Sequence, residues 1–202
     1  MAPIICKRTR TVYFPAPKNA SSSLRELFFE LDNGFPFRKF EINGDLVDLF
    51  WLYRNREGFK PQSIPKGYES IAVVRDPIKR FLSFFKWGII DGNCAVDGVL
   101  TIDQLVENFA QLQMSPKARF HLAPQIVFLG TDLSFFGRIF TVERLDELTS
   151  YLSERAGKAV ALPKTNIGAN TDGNPELNNS SVEKLHKIYR MDYELLKNFY
   201  CA

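Results

Sequence analysis

Residues 11–32 read TVYFPAPKNASSSLRELFFELD, and the fold turns on how this stretch divides. Thr11, Val12, Tyr13 and Phe14 are β-branched or aromatic and Pro15 and Pro17 close the run, which makes a short strand. Leu24, Leu27, Phe28 and Leu31 then recur three and four apart, as on one face of a helix. Ser23 and Glu26 stand at capping-box spacing, and Asn33-Gly34 supplies a C-terminal stop. The connecting loop carries Lys18, Asn19, Ala20, Ser21, Ser22 and Ser23. A helix N-terminus offers unpaired N–H groups and the positive end of the dipole, so a lysine and three hydroxyls delivered there suit a phosphate or a sulfate. P-loop nucleotide enzymes also begin with strand, phosphate loop and helix, but their pattern needs glycines and a lysine just before the final Ser/Thr. Here Lys18 comes first and the loop has no glycine. An ordinary serine-rich helix cap accounts for the same residues equally well.

A second stretch of the same kind is 70–88, SIAVVRDPIKRFLSFFKWG. Residues 71–74 are a continuous apolar run, the mark of a strand buried on both faces of a parallel sheet. Arg75 stands at its carboxyl end, Asp76 can cap the next helix, and Pro77 fits the first helical position. Ile78, Phe81, Leu82 and Phe85 are expected to face the core, with Lys79, Arg80, Ser83 and Lys86 pointing elsewhere. An arginine at a strand end with polar residues on the next helix makes a second anion pocket, at the edge where open α/β sheets bind ligands. The plainer reading pairs Arg75 with Asp76 and leaves Arg80 solvated.

Outward from these two stretches, residues 37–42 (FRKFEI) are expected to form a second strand, Asn43-Gly44 a turn, 45–53 a buried helix and 54–66 a loop, which could line a substrate cleft. Residues 101–112 read as a helix with Ile102, Leu105, Val106 and Phe109 inward, and 119–130 (RFHLAPQIVFLG) hold one of two histidines. Residues 138–142 make a strand ending in Glu143 and Arg144, and 145–155 a helix stopped at Gly157. A loop at 163–175 begins with Lys164, Thr165 and Asn166; the last helix is expected to start at Ser180, with Glu183 as its capping-box partner. Strands alternating with helices make the chain α/β with a mainly parallel sheet.

At 202 residues the length favours one domain, and 45% hydrophobic residues with 18 Phe exclude disorder. A net charge of +3 argues against a protein that coats nucleic acid, so any basic site is local. Cys6, Cys94 and Cys201 form no C-x-x-C pair and indicate neither a disulfide framework nor a zinc cluster, which points to the reducing cytoplasm. No segment approaches the roughly 20 apolar residues of a membrane span, and no signal peptide is apparent.

The two anion stretches together resemble the sulfotransferases that use 3′-phosphoadenosine 5′-phosphosulfate (PAPS). Pro17-Lys18-Asn19-Ala20-Ser21-Ser22-Ser23-Leu24 is similar to their 5′-phosphosulfate loop, and Val73-Val74-Arg75-Asp76-Pro77 with Arg80 and Ser83 to their 3′-phosphate element. The order of the two matches, as does the step from Arg75 to Ser83. His121-x-x-Pro124-Gln125, Glu143 after a strand, and Asn166 in the late loop are similar to the carbohydrate branch, which holds the chondroitin, HNK-1 and heparan 2-O sulfotransferases.

The resemblance implies a P-loop-like three-layer fold spanning 1–202 as a single domain, with PAPS as co-substrate, no metal, and a hydroxylated, carbohydrate-type acceptor. It implies that Lys18, Asn19, Ala20, Ser21, Ser22, Ser23, Arg75, Ser83 and Asn166 bind the donor. Lys18 would also offset charge on the leaving phosphate oxygen. Sulfuryl transfer moves a charged group between two oxygens nearly in line, so the protein chiefly positions reactants and stabilises charge. For the base that takes the acceptor's proton the candidates are His121, Glu41, and Asp45 or Asp48, while His186 reads as a surface residue. The relatives it resembles mostly carry an N-terminal membrane anchor that this sequence does not show, so a soluble form with a polysaccharide, glycolipid precursor or small-metabolite hydroxyl as acceptor fits. Two other classes remain open: a nucleotide-dependent phosphotransferase, which would need a glycine-rich loop and a magnesium-binding carboxylate, and a non-catalytic module that binds the nucleotide.

Overall fold

Val12, Tyr13, Ile71 and Val73 are wholly buried, as strands covered on both faces require. In the computed structural model, which describes residues 1–54, 64–94, 101–163 and 175–202, they sit on β2 (Thr11–Phe14) and β5 (Glu69–Val74), paired in parallel with Val12 opposite Ser70 and Phe14 opposite Ala72. β1 (Ile4–Cys6) adds to β2 antiparallel and β6 (Arg138–Thr141) to β5 in parallel, giving the order β1-β2-β5-β6. The fold is α/β with a mostly parallel, four-stranded sheet flanked by helices, as the alternation of strand and helix signals requires. The chain divides into two compact units, one joining Met1–Val74 to Asp132–Ile167 and the other Arg75–Thr131 to Gly168–Ala202.

The first unit holds the sheet. α1 (Ser21–Asn33) turns Leu24, Leu27, Phe28 and Leu31 onto Tyr13, Ile71 and Val73, and α8 (Leu145–Ala156) brings Leu148 and Leu152 into the same cluster. Gly34 and Gly157 end these helices with φ of 80° and 65°, the left-handed exit that glycine takes without a Cβ clash. The expected strand at 37–42 is shorter and lies elsewhere. β3 (Phe40–Ile42) pairs with β4 (Asp45–Val47) in a separate hairpin, turned by Asn43 and Gly44 with both φ positive, as a two-residue primed turn demands. The helix expected at 45–53 therefore starts only at α2 (Leu49–Arg54), because the turn draws Asp45–Val47 into the hairpin.

Glu69, at the start of β5, gathers partners from two elements, α8 and β6. It accepts from the Tyr151 hydroxyl at 2.8 Å and the Arg155 guanidinium at 3.0 Å, with Arg138 at 3.6 Å. Arg155 in turn donates to the carbonyls of Thr9 and Arg10, at 2.7 and 3.2 Å. One fork therefore ties α8 to β5 and to the β1–β2 connection.

The second unit is helical. α3 (Pro77–Phe85) starts as expected, with the Asp76 carboxylate accepting from Lys79 N–H at 2.8 Å and Pro77 in the first turn, and runs into a single π-helical turn at Lys86–Ile90. The helix expected at 101–112 divides into α4 (Ile102–Glu107) and α5 (Phe109–Leu112), and α4 opens with a full capping box between Thr101 and Gln104. α6 (Pro116–Leu122) and the short α7 (Ile126–Leu129) flank Pro124-Gln125. The last helical segment starts at Asn179 and not Ser180. Asn178 caps it by accepting from Ser181 N–H at 2.8 Å, which displaces the expected Ser180–Glu183 box. It breaks at Tyr189 into α9 (Asn179–Ile188) and α10 (Arg190–Leu195). Phe81, Phe84, Leu105, Leu122, Leu185 and Tyr189 form this unit's core.

A Cβ at Gly137 would lie 2.6 Å from Glu69 Cγ. Gly137→Ala is therefore expected to lower stability by about 1–3 kcal/mol, the range for overpacking, by pushing Glu69 off Arg155. In a denaturant-unfolding cycle the cost should shrink in a Glu69→Ala background.

Candidate functional site

β2 ends in Phe14, and Pro15, Ala16 and Pro17 continue as buried chain, with Asn19 N–H closing a turn on Ala16 carbonyl at 3.4 Å. Lys18 and Ala20 then both take left-handed backbone, φ 68° and 56°, with Asn19 between them on the ordinary side. For residues with a Cβ this conformation costs roughly 1–2 kcal/mol each. Asn19 holds it in place. Its side chain is fully buried and donates from Nδ2 to Val73 carbonyl at 2.8 Å, fastening the loop to the last residues of β5. Alternating hand of this kind turns successive backbone N–H groups to one side, a concavity suited to an anion.

α1 begins at Ser21, with Ala20 at the N-cap position and no side chain capping the first turn. The expected capping box of Ser23 with Glu26 is not formed, because Ser23 is already inside the helix. The first intrahelical bond is Leu24 N–H to Ala20 carbonyl at 3.0 Å. The N–H groups of residues 21–23 therefore have no helix carbonyl to reach, and the first turn holds no acidic residue to oppose an anion. Ser22 is exposed, Lys18 and Ser23 are half-buried and Ser21 is buried.

In the second unit Arg75 is half-buried, and both its backbone polar groups are held by one side chain. Arg75 N–H donates to Gln125 Oε1 at 3.1 Å, and Gln125 Nε2 donates to Arg75 carbonyl at 2.8 Å. Only one orientation of the amide satisfies both bonds. The Asp76 carboxylate serves the α3 cap and accepts from the Tyr193 hydroxyl at 3.3 Å. Ser83 lies half-buried on α3.

Arg80 differs from expectation. It is neither solvated nor turned toward an anion pocket: it is 1% exposed, and its guanidinium donates to the carbonyls of His121, Leu122 and Ala123 at 3.0, 3.3 and 2.7 Å. The C-terminal carbonyls of α6 need donors once they are buried, and a five-donor fork supplies several at once. The aromatic ring of Tyr189 packs beneath the guanidinium, 5.4 Å from its centre, and the Tyr189 hydroxyl adds a bond to Leu122 carbonyl at 3.0 Å.

Of the base candidates, His121 stands in the last turn of α6 with its ring 4.1 Å from that of Trp87 and 5.3 Å from that of Phe120. Glu41 and Asp45 are exposed on the hairpin, and Asp48 accepts from Trp51 N–H at 2.7 Å. Glu143 is exposed in the 3-10 turn after β6, and half-buried His186 stacks on Tyr193 at 4.9 Å. Asn166, with Lys164 and Thr165, and most of the loop expected at 54–66, lie outside the described residues. Sequence reasoning assigned no structural part to Gln125, Asn19 or Asp192, since a polar residue that bonds backbone far away in the chain leaves no local periodic signal. Among the described residues there is no cluster of His, Cys, Asp or Glu that could hold a metal, and no helix long and apolar enough to cross a membrane.

Comparison with known proteins places the chain in a family. A family model described as the sulfotransferase family matches residues 3–200, and the chain belongs to that family, in which the chondroitin and HNK-1 type carbohydrate enzymes fall. Neither the curated proteins nor the solved structures give a match. Membership makes the protein a transferase of sulfuryl groups in general terms.

The left-handed Ala20 gives a test of the loop. A β-branched side chain is strained at positive φ, so Ala20→Val is expected to cost about 2 kcal/mol, whereas Ala20→Gly should stay within about 1 kcal/mol of wild type. Thermal unfolding with the van't Hoff enthalpy measures both.

Proposed function

We propose that the protein moves a sulfuryl group from PAPS to a hydroxyl of a carbohydrate or glycoconjugate, with residues 1–202 acting as one sulfotransferase-like domain. The observation that carries this reading is the loop from Lys18 to Ser23: a glycine-free turn with left-handed Lys18 and Ala20 that feeds a helix with alanine at its N-cap position and no acidic side chain in its first turn. The family match through 3–200 supports treating both units as parts of one enzyme.

Bound PAPS supplies an activated sulfuryl group attached to its 5′-phosphate. The first-turn N–H groups of α1 and the hydroxyls of Ser21, Ser22 and Ser23 hold the 5′-phosphosulfate, with Ala20 and Asn19 shaping the loop from behind. Lys18 places its ammonium against the oxygen that acquires charge as the sulfur–oxygen bond to the 5′-phosphate breaks. Arg75 takes the 3′-phosphate by its planar fork, with Ser83 as a second donor and Asn166 as a further contact. The acceptor hydroxyl forms the new sulfur–oxygen bond and gives its proton to a base. His121 suits this role better than Glu41, since its ring is held against Trp87 while Glu41 sits exposed on a small hairpin. Phe50 and Trp51, 43% and 42% exposed, offer aromatic faces on which a sugar can stack.

Calorimetric titration with 3′-phosphoadenosine 5′-phosphate (PAP), the spent donor, tests the reading, with ADP as control. Wild type should bind PAP well and ADP poorly, and Arg75→Ala should lose about 1.5–3 kcal/mol of that preference, as for a charge-assisted contact. Equal affinity for both, or binding of neither, contradicts it. In a transfer assay His121→Ala should lower kcat by about 100-fold or more, the scale of general-base catalysis, with PAP affinity unchanged.

A further inference from the structure

Arg75 is the first residue after β5, and an arginine can grip a phosphate repeatedly in one geometry only if its backbone is fixed. Beyond a strand end the ladder no longer does this. Here a side chain replaces it: the Gln125 amide bonds both the N–H and the carbonyl of Arg75, the pattern by which a neighbouring strand would hold it. Gln125 is 0% exposed, so the two bonds are shielded from water.

Gln125 is itself fixed from two sides. Asp192 on α10, also 0% exposed, accepts from Gln125 N–H at 2.8 Å and from Ile126 N–H at 3.0 Å. On the other side of Pro124, Arg80 and Tyr189 hold the carbonyls from His121 to Ala123. Burial pushes the Asp192 carboxyl up from its ordinary range, while the two N–H groups and Arg80 pull it back. A turn this heavily bonded exceeds what is needed to join two short helices, and it ends in the clamp on Arg75.

We infer that Gln125, seated by Asp192, is a positioning residue that sets the Arg75 backbone for 3′-phosphate recognition. The inference rests on the proposed assignment of Arg75 to the 3′-phosphate. It makes donor selectivity depend on a residue that need not touch the nucleotide.

The test compares PAP with 5′-AMP, which differs by the 3′-phosphate alone, in calorimetric titrations of the full chain. Gln125→Met keeps the volume and removes both bonds; Gln125→Glu keeps an acceptor for Arg75 N–H and loses the donor to its carbonyl. The ratio of AMP to PAP dissociation constants should fall about tenfold or more in Gln125→Met and about threefold to tenfold in Gln125→Glu, with AMP affinity within about twofold of wild type. A merely structural role would weaken both ligands together and leave the ratio unchanged, and that result overturns the inference. If Gln125→Met does not fold, the ratio in Gln125→Glu decides the matter by the same criterion. A wild type that does not prefer PAP over AMP instead overturns the 3′-phosphate assignment, and the inference with it.

Discussion

The parallel pairing of β2 with β5 is the constraint on which the rest depends. Parallel strands end at the same edge, so the loop leaving Phe14 and the chain leaving Val74 start from one side of the sheet. The Lys18–Ser23 loop follows the first of these exits, and Arg75 is the first residue of the second. The Asn19 bond to Val73 carbonyl uses this adjacency directly, since a side chain two residues before the helix can reach the end of β5 only if the strands run together.

Neither element proposed to bind a phosphate relies on glycine. In the loop, Lys18 and Ala20 accept left-handed backbone despite their Cβ atoms, and burial of Asn19 offsets the strain by enforcing one conformation. At Arg75 the same end is reached by hydrogen bonding, because Gln125 fixes the backbone without restricting the side chain. Both devices preorganise charge before a ligand arrives, which is where most catalytic stabilisation of transferring anions originates. Sulfuryl transfer leaves little covalent work to a protein, so under the proposed function positioning of this kind would be the chain's main contribution.

How far this was legible in the sequence depends on the range of the interaction. β2, β5, α1 and α3 were readable because their signals are local: β-branched runs, three-and-four spacing, Asp76-Pro77 at a helix start. The helix starts at Ser21 and Asn179 were misplaced, since several serines and asparagines in a row offer rival caps and tertiary fit chooses among them. β3 was misassigned to a longer strand because Phe37 looks like strand but packs on Phe29 as a loop residue, their rings 5.1 Å apart. Arg80 was misread for a different reason. Its place on α3 gave a polar residue between apolar ones, and nothing local tells that carbonyls 41 to 43 residues later require it. Lys18, Ser21, Ser22, Ser23 and Arg75 are proposed as site residues from helix-terminus and strand-end chemistry, while Gln125 and Asp192, which hold backbone groups far away in the chain, give no signal to that reasoning.

The most direct test of the central claim, that two separate elements each hold one phosphate of the donor, is phosphorus NMR of PAP titrated with protein. PAP gives distinct 3′- and 5′-phosphate resonances. Both should shift on binding, with the 3′ signal losing its response in Arg75→Ala and the 5′ signal losing its response in Lys18→Ala. A 3′ resonance that does not move with wild-type protein, or moves equally with Arg75→Ala, would contradict the account.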